Sequence, residues 1–125
     1  MNYLLDTHAL IWALENNKTL SNEACEVILD GKNMIFVSAV SIWEITIKKS
    51  MGKISVPDNL IKELEDHRFT RLNIEFEHAE YIGCLPDFHK DPFDRLLIAQ
   101  AKLENLILIT RDEAIAKYDV AIIRA

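Results

Sequence analysis

The sequence predicts an α/β fold of three layers, a mainly parallel central sheet covered by helices on both faces. Three observations predict it. Short apolar runs alternate with helical stretches along the whole chain, the order that a parallel sheet with crossover helices requires. The runs MIFV from Met34 and LILIT from Leu106 are apolar without interruption, as strands covered on both faces are. Half of the 125 residues are hydrophobic, with only three Gly and three Pro, which suits a regular chain and argues against disorder. That length fits one domain, residues 1–125, able to bury a real core.

The elements follow in order. Asn2–Leu5 reads as a buried strand and THALIWALE, from Thr7, as a helix. Ser21 is placed to cap a second helix, NEACEVILD, which stops before Gly31. MIFVS from Met34 is the second strand, and a helix covers roughly Val40–Ser50 before stopping near Gly52. PDNLIKELEDH is amphipathic and starts at the helix-compatible Pro57. Arg71–Ile74 is a weaker strand, and Glu77–Cys84 a helix that ends before Pro86. Asp91 then Pro92 is a helix start, with Asp as N-cap and Pro at the first helical position. The strand Leu106–Thr110, a short helix from about Asp112 and a last strand Val120–Ile123 complete the chain.

Charge and cysteine usage narrow the class. A formal net charge of −6 repels nucleic acid as a whole, so a nucleic-acid substrate needs a local basic patch or bound cations. Cys25 and Cys84 match no metal or redox spacing and read as buried free thiols of a cytoplasmic protein. The N-terminal MNYLLDTHALIW has no basic region ahead of its apolar run, and no membrane span is expected anywhere.

Four acids stand out against this frame. Asp6 directly follows the first strand, Glu44 lies in the first turns of the helix after the second, and Asp112 comes two residues after LILIT. Asp94, in HKDPFDRLLIAQA, falls at the third position of its helix and shares a wheel face with Leu97, Ile98 and Ala101. In open α/β sheets ligands bind beyond the carboxyl ends of the strands, where three of these acids are expected. Asp94 joins them if its loop crosses back over the sheet.

Each acid also has a local explanation. Asp6 or Thr7 caps THALIWALE, Asp112 caps the helix after it, and Ser41-Ile42-Trp43-Glu44 fits a capping box. Glu44 with Lys48 forms an i,i+4 pair. Four separate caps, however, do not account for convergence on one edge. Gathered carboxylates repel one another, and divalent magnesium or manganese removes that cost through oxygen ligands. Such ions suit the attack of water on a phosphodiester. His8 and His89 lack zinc-ligand spacing, and no Gly-rich phosphate loop or nucleophile elbow is present.

Asp6-Thr7-His8, Ser41-Ile42-Trp43-Glu44-Ile45, DPFDRLLIAQA and Thr110-Arg111-Asp112, in that order over essentially the whole chain, resemble a PIN-domain ribonuclease. The likeness is strongest to VapC-like toxins of bacterial toxin–antitoxin pairs. It implies an α/β/α sandwich, Mg2+- or Mn2+-dependent endoribonuclease activity and neutralisation by a cognate antitoxin, with homodimers common among such proteins. The family's acidic positions fall on Asp6, Glu44, Asp94 and Asp112, and its hydroxyl near the metal on Thr110 or Thr7. Ile115 departs from the aromatic residue that many members carry after the last acid.

The roles implied are metal binding by Asp6 and Asp94, a metal or water contact by Glu44, and completion of the site by Asp112. Lys48, Arg95 and Arg111 are candidates for RNA phosphate contacts, although a basic residue beside an acid more often forms a solvated pair. Two rivals use a similar sheet. A phosphatase of the haloacid-dehalogenase kind wants a second acid where His8 stands, and a phosphoacceptor domain wants a lysine where Arg111 stands. A binding module without turnover is a third reading, disfavoured by four intact acids.

Overall fold

The computed structural model describes residues 1–125. Its five strands are β1 (Asn2–Leu5), β2 (Met34–Ser38), β3 (Thr70–Leu72), β4 (Ile107–Thr110) and β5 (Ile122–Arg124). They form one sheet in the order β3-β2-β1-β4-β5, every pair parallel. The helices are α1 (Thr7–Leu14), α2 (Asn22–Leu29), α3 (Ala39–Ser50), α4 (Leu60–Asp66), α5 (Phe76–Tyr81), α6 (Pro92–Leu103) and α7 (Glu113–Ala116).

The sheet separates two cores, as the uninterrupted apolar strands require. On β1, Tyr3 and Leu5 face one core while Leu4 faces the other; on β4, Ile109 and Leu108 divide in the same way. Leu10 of α1, Ala24 of α2, Ile45 of α3 and Leu64 of α4 close the first. Leu97 and Ile98 of α6 and Ile115 of α7 close the second, joined by Val40 from α3. The predicted α/β/α sandwich is the observed fold. No helix is long and apolar enough to cross a membrane.

Helix ends explain how so few glycines suffice. Asn16, Gly52, Arg68 and Asn105 all take positive φ, one residue past the C-caps of α1, α3, α4 and α6. The next amide in each case reaches back to the last turn, from Asn17 to Trp12, Lys53 to Lys48, Phe69 to Leu64 and Leu106 to Ala101. These are Schellman closures, and only one of the four uses Gly.

Several sequence expectations need correction. The helix expected from Val40 starts at Ala39, capped by Ser38, whose hydroxyl accepts from the Val40 amide. The Ser41–Glu44 capping box therefore does not form, because both residues lie inside the helix. The helix expected from Pro57 begins at Leu60, and the strand expected over Arg71–Ile74 is Thr70–Leu72. The last strand lies two residues later than expected at its start, with Leu108 registered against Ile122 and Thr110 against Arg124. The helix expected to run to Cys84 stops at Tyr81 and gives way to a 3-10 turn over Ile82–Cys84. That tightening breaks the helical face and Cys84 is exposed; Cys25, on α2, is only half-buried, so neither thiol is buried as expected.

Candidate active site

The sheet order changes direction at β1: the chain first builds outward through β2 and β3, then returns to add β4 and β5 on the other side. Crevices form at such a reversal because the connections leave in opposite directions. Asp6 follows β1 there, and its amide donates to the Ile109 carbonyl of the neighbouring β4. The residue is therefore fixed by the sheet before its side chain makes any contact.

Its carboxylate does two things at once. Oδ1 caps α1 by accepting from the Ala9 amide at 2.8 Å, and Oδ2 accepts from the Thr110 hydroxyl at 2.5 Å. Thr110 in turn accepts from the Asp112 amide at 3.0 Å, which ties the β1 and β4 ends together. Asp112 caps α7 through the Ala114 amide at 2.8 Å. Capping and clustering are thus both true of these two acids. Burial pushes the Asp6 carboxyl above its ordinary range against the hydrogen bonds from Thr110 and Ala9, and Asp112 adds to the rise.

Glu44 arrives from the other side of the crevice, on the second turn of α3, and is only 4% exposed. Thr7 donates to its Oε1 at 2.6 Å and Lys48 to its Oε2 at 2.5 Å. Ser41 Oγ lies 3.1 Å from the same Thr7 hydroxyl, so the two helices meet over a buried polar contact. Both threonines singled out in the sequence therefore hold acids, Thr7 holding Glu44 and Thr110 holding Asp6.

Asp94 completes the group. Asp91 caps α6, accepting from the Phe93 and Asp94 amides at 2.9 and 3.2 Å, and Pro92 follows at the first helical position. This start directs Asp94 into the crevice. Its carboxyl is pushed up to about 8, first by burial and then by the charges of Asp91, Asp112, Asp6 and Glu44. The loop crossing inferred from sequence exists, since acids from three other elements act on this one group.

The basic candidates separate. Lys48 stands beside Glu44 with about a third of its side chain exposed, on the rim of the acids. Arg95 does not fit the predicted phosphate contact. Its guanidinium donates to the carbonyls of Pro86, His89 and Ile82 and to the Tyr118 hydroxyl, clamping the segment before α6. Arg111 is tethered as well, to the Ala125 and Thr19 main-chain oxygens, with its guanidinium 4.8 Å from the centre of the Trp12 ring. It still lines a cleft of about 300 Å3 together with Asp6, His8, Trp12 and Asp112. Larger hollows lie elsewhere and contain none of the four acids.

Two residues of the site escaped sequence reasoning. His89 Nε2 lies 3.3 Å from Asp94 Oδ2, and His89 Nδ1 lies 2.8 Å from the Tyr118 hydroxyl. Closeness to Asp94 in HKDPFD was a signal for His89; nothing in the sequence points to Tyr118.

The donor set is all oxygen, four carboxylates with two hydroxyls behind them, which suits a hard divalent cation. As the side chains stand, no three acids, histidines or cysteines close around one point. The reason is visible in the contacts: Asp6 and Glu44 each turn both oxygens to protein donors, leaving Asp94 Oδ1 and Asp112 Oδ2 without one. The elevated Asp94 carboxyl marks the same point as short of positive charge. Residues and chemistry fit such an ion; closure of the ligands around it requires side-chain rotation.

Sheet, switch point and acids define an α/β domain with an acid-lined crevice at the carboxyl edge of a parallel sheet. The chain belongs to the PIN domain family, whose model matches residues 3–121. Membership sets aside the phosphatase and phosphoacceptor readings. Among solved structures it resembles VapBC2 from Rickettsia felis bound to a DNA fragment from its promoter, at TM-score 0.74 and 17% identity, covering 100% of this chain and 99% of that one. DNA-bound VapBC from Salmonella typhimurium gives 0.70 and 14%, covering 99% and 98%. A toxin–antitoxin complex from Klebsiella pneumoniae gives 0.55 at 25% identity, covering 88% and 86%. No curated protein matches the chain.

Proposed function

We propose that this protein is a Mg2+- or Mn2+-dependent endoribonuclease that acts in the cytoplasm as the toxin of a toxin–antitoxin pair. The observation that carries the reading is that Asp6, Glu44 and Asp112, each from a separate element, all lie near enough for their charges to raise the buried Asp94 carboxyl. Likeness to VapBC and to a toxin–antitoxin complex supports the biological setting.

In this reading Asp6 and Asp94 hold the ion and Asp112 completes its surroundings. A divalent ion held there would supply a water of lowered pKa and positive charge beside the phosphodiester. Glu44, gripped by Thr7 and Lys48, orients the attacking water, and Lys48 at the rim meets a phosphate oxygen. Because the chain carries −6 overall, substrate approach depends on that local positive charge and on the ion. The antitoxin brings a basic side chain toward the same acids.

Purified protein should cleave RNA in magnesium and not in EDTA, and expression of the chain alone should slow bacterial growth. Asp94→Asn should do neither, while remaining folded by melting. Cleavage that survives EDTA, or a toxic Asp94→Asn chain, would remove the reading.

A further inference from the structure

We propose that His89 is a positioning residue for Asp94, held as an Nε2 donor by a hydrogen-bond chain that begins at Arg95 and passes through Tyr118. The role rests on the nuclease reading above. The direction of the chain follows from donor chemistry. A guanidinium only donates, so Arg95 Nη1, 3.0 Å from the Tyr118 hydroxyl, must be the donor there. The phenol then has a single proton to give, and its shortest partner is His89 Nδ1 at 2.8 Å. With Nδ1 accepting, a neutral imidazole carries its proton on Nε2, facing Asp94 Oδ2 at 3.3 Å.

The surroundings hold this arrangement. Tyr118 is buried, with its ring edge-on to Phe88 and angled against His89 at centroid distances of 5.0 and 5.4 Å. Arg95 binds the His89 carbonyl as well, so one side chain orients both the backbone and, through Tyr118, the ring of the same residue. The consequence for Asp94 is geometric. Oδ2 is engaged by the imidazole, which leaves Oδ1 without a protein partner and fixes the carboxyl plane by one of its two oxygens. Arg95 and Asp94 are adjacent in sequence, yet they meet through a route around His89 and Tyr118. Outer partners of this kind, which fix a ligating carboxylate or imidazole, typically matter about 10–100-fold to metal affinity or activity.

The test compares the full chain with His89→Ala, His89→Gln and Tyr118→Phe. RNA cleavage is measured as kcat and KM, manganese binding by calorimetry, folding by melting, and the imidazole tautomer by nitrogen-resolved NMR at alkaline pH without metal. His89→Ala should lose about 10–100-fold in kcat and weaken manganese binding, with KM little changed. His89→Gln, which places an amide donor near the Nε2 position, should recover most of both. Wild-type NMR should show the Nε2–H form, and Tyr118→Phe should populate the other tautomer and lower kcat. Wild-type kcat in a folded His89→Ala protein, no recovery in folded His89→Gln, or an Nδ1–H imidazole in the wild type would each overturn the proposal. Should the wild type neither cleave RNA nor bind manganese, the nuclease reading fails by itself, and the tautomer comparison alone decides the role of His89.

Discussion

Replacing Asp94 with Asn removes a charge while keeping the shape and an oxygen that still accepts from His89. An acid whose folded pKa lies above its unfolded value binds its proton more tightly in the fold. Its contribution favours the fold fully below the lower value and is lost as pH rises through the upper one. For Asp94 the two values are 3.8 and about 8. At about 1.4 kcal/mol for each pH unit crossed, the metal-free wild type forfeits at most about 6 kcal/mol over that window. A carboxylate at the third helical position returns about 0.3–1 kcal/mol through the helix dipole once it is charged. Even half the remainder is large beside a domain stability of about 5–15 kcal/mol. Urea denaturation in EDTA at pH 4, 6 and 8, for wild type and Asp94→Asn, reads the difference directly. The variant should match the wild type at about pH 4 and exceed it by several kcal/mol at about pH 8. Magnesium should narrow the gap at pH 8 by stabilising only the wild type. A gap that is constant with pH, or a variant weaker than wild type at pH 8, would refute the argument that neighbouring carboxylates strain this position.

Two further outcomes follow from the caps and hydroxyls. Near pH 6, where Asp94 carries its proton in the fold, Asp91→Ala should cost about 0.5–2 kcal/mol in urea denaturation, and Asp91→Ser should recover most of it. Thr110→Val takes away the donor to the buried Asp6 Oδ2 and should destabilise the protein by about 1–3 kcal/mol in urea denaturation; a variant as stable as the wild type would mean that the hydroxyl does not hold this carboxyl.

The sequence exposed the acids because strand ends and helix starts are local features, and Asp6, Asp94 and Asp112 each stand at one. It presented capping and clustering as competing explanations. The structure reconciles them, since a carboxylate has two oxygens and Asp6 uses one for each purpose. The start of α3 was misjudged because VSAVS offers two serines. What selects Ser38 is a 2.6 Å contact with Gln100 on α6, a partner 62 positions away. The tethers of Arg95 and Arg111 were hidden for the same reason. Their principal acceptors are main-chain oxygens, which leave no mark in the identity of the residues that supply them.

For the nuclease proposed above, the shared duties of Asp6 and Asp112 make the routes to an inactive protein unequal. A change at Asp6 strips α1 of its cap and leaves Thr110 without its acceptor, so loss of chemistry comes with loss of folded protein. A change at Asp94 leaves the α6 cap intact on Asp91, so the chain persists, silent but folded. Alleles of the first kind behave as absences. Those of the second keep the surface of the active form and compete with it for whatever binds there, so two substitutions in one crevice carry opposite genetic dominance.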